Sequence, residues 1–272
     1  MTSSDMFDLT DRSAIVTGGA GLLGREFART LAEAGADVAI ADRDGRAAES
    51  AAAELKGVGG RVLAFEADVT SAASLQDLAG RLLGETGRID ILVNSAALDP
   101  KFDSGQAGRH TQAFEEFPLE AWNQALEVNL TGSFLACQAV AGAMRAQGSG
   151  SIVNICSTYG LVGPDQRIYQ RAGQPPRYKP VSYSVTKAGL LGLTRYLATY
   201  FAGTNIRVNA LTPGGVFHEH DDEFVRAYSA RTVLGRMARK DEMNGALLFL
   251  ASDASSYMTG ANLVVDGGWT AW

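Results

Sequence analysis

Short apolar runs alternate with helical segments along this chain, and that alternation restricts the possible folds more than any other feature. Runs at residues 13–17, 37–41, 61–65 and 89–93 each end in small or polar residues, with amphipathic stretches between them. Such an order is typical of βαβ units, whose right-handed crossovers place helices on both faces of a parallel sheet. Later runs at 151–155, 206–210 and 262–265 bring the count to seven. We therefore predict an α/β fold, a single doubly wound domain over residues 1–272 with a seven-stranded, mainly parallel sheet.

Composition excludes several classes of function. The net charge of −6 argues against general binding to nucleic acids or anionic membranes. No run approaches the roughly 18 apolar residues of a membrane span, and the N-terminus has no signal pattern. Cys137 and Cys156 lie in apolar contexts and are expected to be buried thiols. We expect a cytoplasmic protein that acts on a small molecule and holds no metal ion.

A glycine pattern follows the first strand. Gly19-x-Gly21-x-x-Gly24 lies directly after residues 13–17 and opens the first helix. Missing side chains let the backbone approach a pyrophosphate, which the free N–H groups of a helix N-terminus attract. The alternative is a glycine-rich turn kept only for packing. Its context favours a Rossmann-type dinucleotide site, to which Gly18, Leu22 and Leu23 also belong.

An acidic residue ends the second strand. Asp42 lies 18 residues after Gly24, close to the roughly 20 expected of the acid that binds the adenosine ribose. A carboxylate there repels a 2′-phosphate, so NAD is the expected cofactor. The neighbouring Arg43 keeps NADP possible, and Asp42 could instead cap the next helix.

Tyr183 and Lys187 are spaced one helical turn apart, on one face of a helix. An ammonium near a phenol favours the phenolate and lowers the Tyr pKa from about 10. A phenol tuned in this way can exchange a proton during a reaction. Alone, the pair is more typical of an ordinary amphipathic helix.

Together, these motifs resemble the short-chain dehydrogenase/reductase family, in its compact NAD(P)-dependent branch. The resemblance covers almost the whole chain and rests on Thr17-Gly18 with Gly24, Asp68-Val69, Asn94-Ser95-Ala96-Ala97, Asn129, Ser157, Tyr183 with Lys187, Asn209 and Pro213-Gly214. It implies hydride transfer between a nicotinamide and a secondary alcohol or ketone.

The resemblance implies a role for each of four catalytic residues. Tyr183 would be the general acid/base, and Ser157 would hydrogen-bond the substrate oxygen. Lys187 would lower the Tyr183 pKa and hold the nicotinamide ribose, while Asn129 would hold a water on the proton route. Plainer interpretations are a turn hydroxyl for Ser157 and a backbone-bonded helix residue for Asn129.

The resemblance also implies the cofactor contacts. Asp68 and Val69 would flank adenine (Asp68 could instead be a loop cap), and Asn94 would fix the fourth strand. The complete predicted set is Gly18, Gly19, Gly21, Leu22, Leu23, Gly24, Asp42, Arg43, Asp68, Val69, Asn94, Ser95, Ala96, Tyr183, Lys187, Pro213, Gly214 and Val216.

Three departures from the family pattern concern the substrate side. Leu22 stands where the compact branch usually has glycine, a pattern known from the longer-chain branch that handles nucleotide sugars. The usual threonine after Pro213-Gly214 is replaced near His218. An insert at residues 163–180 lengthens the segment between the catalytic serine and tyrosine. Part of this region resembles bacterial members associated with flagellin-glycan and sialic-acid-like sugar synthesis.

That insert should border the substrate pocket, because it connects two catalytic residues. It carries a net positive charge, and arginine favours phosphate and carboxylate. We predict a polar or anionic sugar derivative as substrate, bound by Tyr159, Gln166, Arg167 and Arg171. A solvated loop or a subunit contact is the alternative.

Other functions are compatible with the same motifs. A 3-oxoacyl or general alcohol/ketone reductase would have a nearly identical core, and a non-catalytic NAD-binding sensor would need only the nucleotide site. Family resemblance also implies a homotetramer or dimer formed through the helices at residues 119–147 and 183–201.

Overall fold

The computed structural model describes residues 2, 5–99 and 113–272. The polar, glycine-containing composition of residues 98–118 predicts a loop, and most of that segment lies outside the described residues. Seven strands form one sheet in the order β3-β2-β1-β4-β5-β6-β7, and every pair of neighbours is parallel. The predicted α/β, doubly wound architecture is confirmed.

The elements follow the predicted order. The strands are β1 (Ser13–Thr17), β2 (Asp37–Asp42), β3 (Val62–Glu66), β4 (Ile91–Asn94), β5 (Ser149–Ile155), β6 (Asn205–Pro213) and β7 (Asn262–Val265). The helices are α1 (Leu22–Glu33), α2 (Gly45–Glu54), α3 (Ala72–Thr86), α4 (Leu119–Leu126), α5 (Gly132–Gln147), α6 (Val181–Tyr200), α7 (Asp222–Ser229) and α8 (Asn244–Ala251).

Both faces of the sheet are covered, which explains why its central strands are apolar throughout. All five residues of β1 are buried. Ala14 and Val16 pack in a core with side chains of α1 and α8, whereas Ile15 packs in the opposite core with α3 and α5. Alternate residues of one strand thus enter two separate cores, as expected of a parallel sheet between helical layers.

The long helix expected over residues 119–147 is interrupted. A π-helical segment, Glu127–Thr131, separates α4 from α5, and Asn129 lies at its centre, fully buried. A π-helical turn contains one more residue than an α-helical turn and is frequent at functional sites. Apolar residues continue through the segment, so helical periodicity gave no sign of it.

None of the described helices is long and apolar enough to cross a membrane.

The strand order reverses between β1 and β4, where the chain leaves the two strands toward opposite sides. In open parallel sheets, such a reversal opens a crevice at the carboxyl ends of the strands, where ligands bind.

Candidate active site

A cavity of about 630 Å³ lies at these carboxyl ends. Most of the predicted cofactor residues line it: Gly18, Gly21, Leu22, Leu23, Gly24, Asp42, Arg43, Asp68, Val69, Ser95, Ala96, Tyr183, Lys187, Pro213, Gly214 and Val216. The same cavity contains Ser157 and Tyr159. Its volume falls within the range of small-molecule and cofactor sites, about 300–1,000 Å³.

The glycine-rich turn leaves no room for side chains. Gly18 has φ +62°, and a Cβ on it would lie 2.7 Å from the Cα of Ala96. A Cβ on Gly24 would collide with the carbonyl oxygen of Gly18. Glycine therefore lets the turn fold back on itself and lets α1 begin close to β1.

The N-terminus of α1 faces the cavity without a side-chain cap. Gly21 is the N-cap residue and makes no side-chain hydrogen bond, while Leu22 and Leu23 of the first turn line the cavity. First-turn N–H groups have no partner within their own helix and attract anions. The turn therefore fits the pyrophosphate of a dinucleotide.

Asp42 lies at the other side of this turn. Its carboxylate accepts hydrogen bonds from the N–H groups of Ala20 and Asp44, each at 3.2 Å. The alternative that Asp42 caps the next helix is wrong, since Asp44 is the N-cap of α2. Arg43 is exposed at the cavity edge.

The position of Asp68 agrees with both predictions made for it, a cofactor contact and a loop cap. It lines the cavity, and its carboxylate accepts hydrogen bonds from the N–H and hydroxyl of Thr70 at 2.9 and 2.8 Å. These bonds hold the pKa of Asp68 below its usual value, with a smaller contribution from the charge of Arg43. A carboxylate held in one position thus borders the cavity at the end that contains the glycine-rich turn.

Ser157, Tyr183 and Lys187 meet at the opposite end. Ser157 follows β5, and the other two lie in the first two turns of α6. Lys187 is buried, and its Nζ donates to the carbonyl oxygen of Ile155 at 2.7 Å. The same Nζ lies 5.9 Å from the centre of the Tyr183 ring. Ser157 also accepts a hydrogen bond from the Tyr159 N–H, so it is a turn hydroxyl as well.

The pKa of Tyr183 is not shifted in the direction that the sequence predicted. Burial raises the pKa of Tyr183, the charge of Asp99 raises it further, and only the hydrogen bond with Ser157 among the main causes lowers it. Burial lowers the pKa of Lys187 to about 8. The expected lowering of the Tyr183 pKa by Lys187 is therefore not found, because enclosure and a nearby carboxylate outweigh an ammonium that is itself desolvated.

Asn129 does not line the cavity. Its Oδ1 accepts from the Leu98 N–H at 2.6 Å, and its Nδ2 donates to the Leu98 carbonyl at 3.1 Å and to Thr186 Oγ1 at 3.2 Å. The side chain thus ties the loop after β4 to α6. These bonds occupy the amide, and they favour the backbone-bonded interpretation over a water-holding side chain.

Two predicted cofactor residues also lie outside the cavity lining. Asn94 is buried, and its Nδ2 donates to Asn154 Oδ1 at 2.8 Å and to Cys137 Sγ at 3.3 Å. It fixes β4 to its neighbours, as expected, but without facing the cavity. Gly19 packs against β1 and β2, where a Cβ would lie 2.8 Å from the Val16 carbonyl oxygen.

The insert is folded against α7, and this changes the interpretation of its arginines. Arg171 pairs with Asp221 at 2.9 Å and with Glu223 at 3.5 Å. Arg167 pairs with Asp165 at 2.7 Å and has 80% of its side chain exposed. Neither arginine lines the cavity, because acidic neighbours hold both of them elsewhere. Charge alone did not show which partners they would find.

Of the predicted substrate residues, only Tyr159 lines the cavity; Gln166 holds the backbone of Lys179 instead. The cavity wall includes further residues that were not predicted, many of them aromatic: Asp99, Thr158, Tyr169, Lys179, His218, His220, Phe224, Tyr228 and Met237. The signal that could have found Tyr169 and Lys179 is their position in the insert.

Among the described residues, no group of three or more His, Cys, Asp or Glu side chains could hold a metal ion. The cavity contains a glycine-lined anion site at one end and the Ser157, Tyr183 and Lys187 side chains at the other.

The chain is similar to known proteins over almost its whole length. A family model described as Enoyl-(Acyl carrier protein) reductase matches residues 19–270. The D-threitol dehydrogenase of Mycolicibacterium smegmatis is 38% identical over 269 residues, covering 97% of this chain and 95% of that protein. The crystal structure of a short-chain type dehydrogenase/reductase from Mycobacterium marinum has a TM-score of 0.85 and 35% identity, covering 99% of both chains.

A second solved structure extends the comparison. A gluconate 5-dehydrogenase from Burkholderia cenocepacia, in complex with NADP and tartrate, has a TM-score of 0.85 and 32% identity, covering 100% of both chains. Because the family model spans nearly all residues and these relatives exceed 30% identity over almost the full length, the chain belongs to the short-chain dehydrogenase/reductase family.

Proposed function

We propose that this oxidoreductase, which acts on CH–OH groups, uses NAD to interconvert a polyhydroxylated secondary alcohol and its ketone, with Tyr183 as the general acid/base. The observation that carries the proposal is that one cavity joins the uncapped N-terminus of α1 to Ser157, Tyr183 and Lys187. A bound nicotinamide supplies the hydride acceptor or donor.

The chain's own residues would handle the proton. In the reductive direction, the protonated Tyr183 Oη donates its proton to the substrate carbonyl oxygen, to which Ser157 also donates a hydrogen bond. In the oxidative direction, the phenolate form of Tyr183 accepts the hydroxyl proton of the substrate. Lys187, held by the Ile155 carbonyl, supplies positive charge beside the phenol. The phenol is partly enclosed, so bulk water competes little for these hydrogen bonds.

Asp42 supports NAD as the preferred nucleotide. Its carboxylate lies at the cavity edge beside the glycine-rich turn, where a 2′-phosphate would meet a negative charge. Arg43 is the group that could accept that phosphate, and the Burkholderia relative binds NADP. The ratio of kcat/KM values with NAD and NADP tests this preference.

The named relatives favour a substrate with several hydroxyl groups. D-threitol, a neutral polyol, is the substrate in the name of one relative, and gluconate, a polyhydroxylated carboxylate, in that of another. The arginines that suggested an anionic sugar are paired outside the cavity, so these two side chains do not support an anionic substrate.

A substrate panel tests the proposal, read as nicotinamide absorbance. We expect polyols such as threitol and cyclic diols to reduce NAD, and acetoacetyl-CoA to oxidise NADH slowly or not at all. Turnover of acetoacetyl-CoA alone would favour the 3-oxoacyl reductase alternative. Binding of NADH without turnover of any panel member would favour the sensor.

We also propose a homo-oligomer through α5 and α6. Both helices expose large hydrophobic side chains: Phe134 on α5, and Val185, Tyr196 and Tyr200 on α6. Light scattering after size exclusion should give a dimer or tetramer, and Tyr196→Glu should reduce that mass. A wild-type monomer at micromolar concentration would contradict this part of the proposal.

A further inference from the structure

Lys179 and Asp99 form an ion pair inside the cavity, beside the proposed acid/base. They are 80 positions apart in the sequence, and both line the cavity. Lys179 Nζ lies 4.2 Å from the centre of the Tyr183 ring. Only 10% of the Lys179 side chain is exposed, whereas half of the Asp99 side chain is accessible. This pair belongs to the reacting end of the cavity, and neither residue gives or takes a proton in the transfer described above.

Gln166 of the insert fixes the backbone of Lys179. The Oε1 of Gln166 accepts from the Lys179 N–H at 2.8 Å, and its Nε2 donates to the Lys179 carbonyl oxygen at 3.4 Å. One amide side chain therefore bonds the backbone of Lys179 in both directions, as a neighbouring strand would.

Asp99 is held in the same way through the residue before it. Asn129 bonds both the N–H and the carbonyl of Leu98. Two buried or half-buried amides thus fix the backbone on each side of the ion pair. Side chains that must recognise a ligand need such support, because a loosely held group loses much of its selectivity.

The chemistry of the pair selects its ligand. An ammonium only donates hydrogen bonds, and a carboxylate only accepts them, whereas a hydroxyl does both. A hydroxyl beside the pair can therefore accept a hydrogen bond from another N–H of the Lys179 ammonium and donate one to the Asp99 carboxylate. The pair has no net charge and therefore attracts an anion little, and an apolar group would remove both charges from water without replacing their lost hydrogen bonds.

Resting on the proposed function, which places the reacting oxygen at Tyr183, we propose that the Asp99–Lys179 pair determines specificity by binding a second hydroxyl group near the reacting carbon. Gln166 and Asn129 are the positioning residues of this pair. The substrate class is thereby narrowed to alcohols with a neighbouring hydroxyl group.

Three matched ring alcohols test this assignment: cis-cyclohexane-1,2-diol, cyclohexanol and 2-hydroxycyclohexanecarboxylate. We expect the wild-type kcat/KM for the diol to exceed that for cyclohexanol by about tenfold or more, since a site built for a hydroxyl disfavours an analogue that lacks it. The double variant Asp99→Leu with Lys179→Met removes both charges together, and its diol preference should fall toward unity.

Two further variants separate recognition from folding. Arg167→Met changes an exposed residue of the same insert and should keep the wild-type preference. Gln166→Met should raise KM for the diol more than it lowers kcat, because the pair is displaced while the proton-transfer group stays. Binding of NADH, followed by fluorescence, shows that each variant is folded; if the double variant fails this check, Lys179→Gln takes its place.

Several results would overturn the proposal. These are equal wild-type kcat/KM values for the diol and cyclohexanol, a preference for the carboxylate over the diol, or an unchanged preference in a folded pair variant. A wild-type enzyme that turns over none of the three probes with NAD or NADP would instead contradict the proposed function itself.

Discussion

Replacing Lys187 with Met should stabilise the protein at pH 7 while damaging its active site. Lys187 is 3% exposed, and burial lowers its pKa from 10.5 to about 8. At about 1.4 kcal/mol per pKa unit, an ammonium held there at neutral pH costs roughly 3 kcal/mol of folding free energy. Met fills a similar volume without a charge, but it loses the hydrogen bond to Ile155, worth about 1 kcal/mol. The net expected gain at pH 7 is about 2 kcal/mol.

The difference in stability between the Lys187→Met variant and the wild type should depend on pH. Between pH 8 and 10.5, the unfolded chain binds more protons at Lys187 than the native one does, so wild-type stability rises with pH across that window. The Met variant lacks this rise. Its advantage should therefore be full below pH 8 and shrink to nearly zero by about pH 10.

Urea unfolding at pH 7 and pH 10, without added nucleotide and at one protein concentration, measures both values. Lys56→Met, a change at an exposed lysine after α2, is the matched control and should shift neither. A Lys187→Met variant that is less stable than wild type at pH 7, or whose difference from wild type does not change with pH, would refute the reasoning.

Three further changes test separate parts of the structure. Gly24→Ala should weaken NADH binding at least tenfold in a fluorescence titration, because its Cβ would collide with the Gly18 carbonyl oxygen; unchanged affinity would contradict the close-packed turn. Asp42→Ser should raise the NADP-to-NAD ratio of kcat/KM about tenfold or more, since a negative charge beside the glycine turn is removed, and an unchanged ratio would count against Asp42 as the selecting acid. Arg171→Met should lower the melting temperature by a few degrees, because it removes the ion pairs with Asp221 and Glu223 that join the insert to α7. An unaltered melting temperature would show that these ion pairs contribute nothing to stability.

The fold was predictable because its strands are buried on both faces. Residues 13–17 and 37–41 read as continuous apolar runs for that reason, and each recurs as a strand within one residue of the predicted ends. The glycine-rich turn was equally readable, since the conformation of Gly18 and the contact at Gly24 tolerate no other residue.

What escaped prediction depends on contacts between distant residues. The π-helical segment around Asn129 leaves the apolar pattern unchanged, so it is visible only in the backbone of the structure, as are the contacts of Asn129 with Leu98. Arg171 was predicted to bind an anion, whereas the structure pairs it with acidic residues at the start of α7. Lys179 and Asp99 are 80 residues apart, and no spacing rule links them.

The central claim is that Tyr183 moves the proton while the rest of the cavity holds the nucleotide. Tyr183→Phe keeps the ring and removes only the hydroxyl, and general acid/base catalysis contributes about 10²–10⁴-fold. Measured on a polyol that the wild type oxidises, kcat should fall by at least a hundredfold, while the Kd for NADH stays within about twofold. A variant that keeps its kcat, or that loses NADH binding together with turnover, would contradict this account.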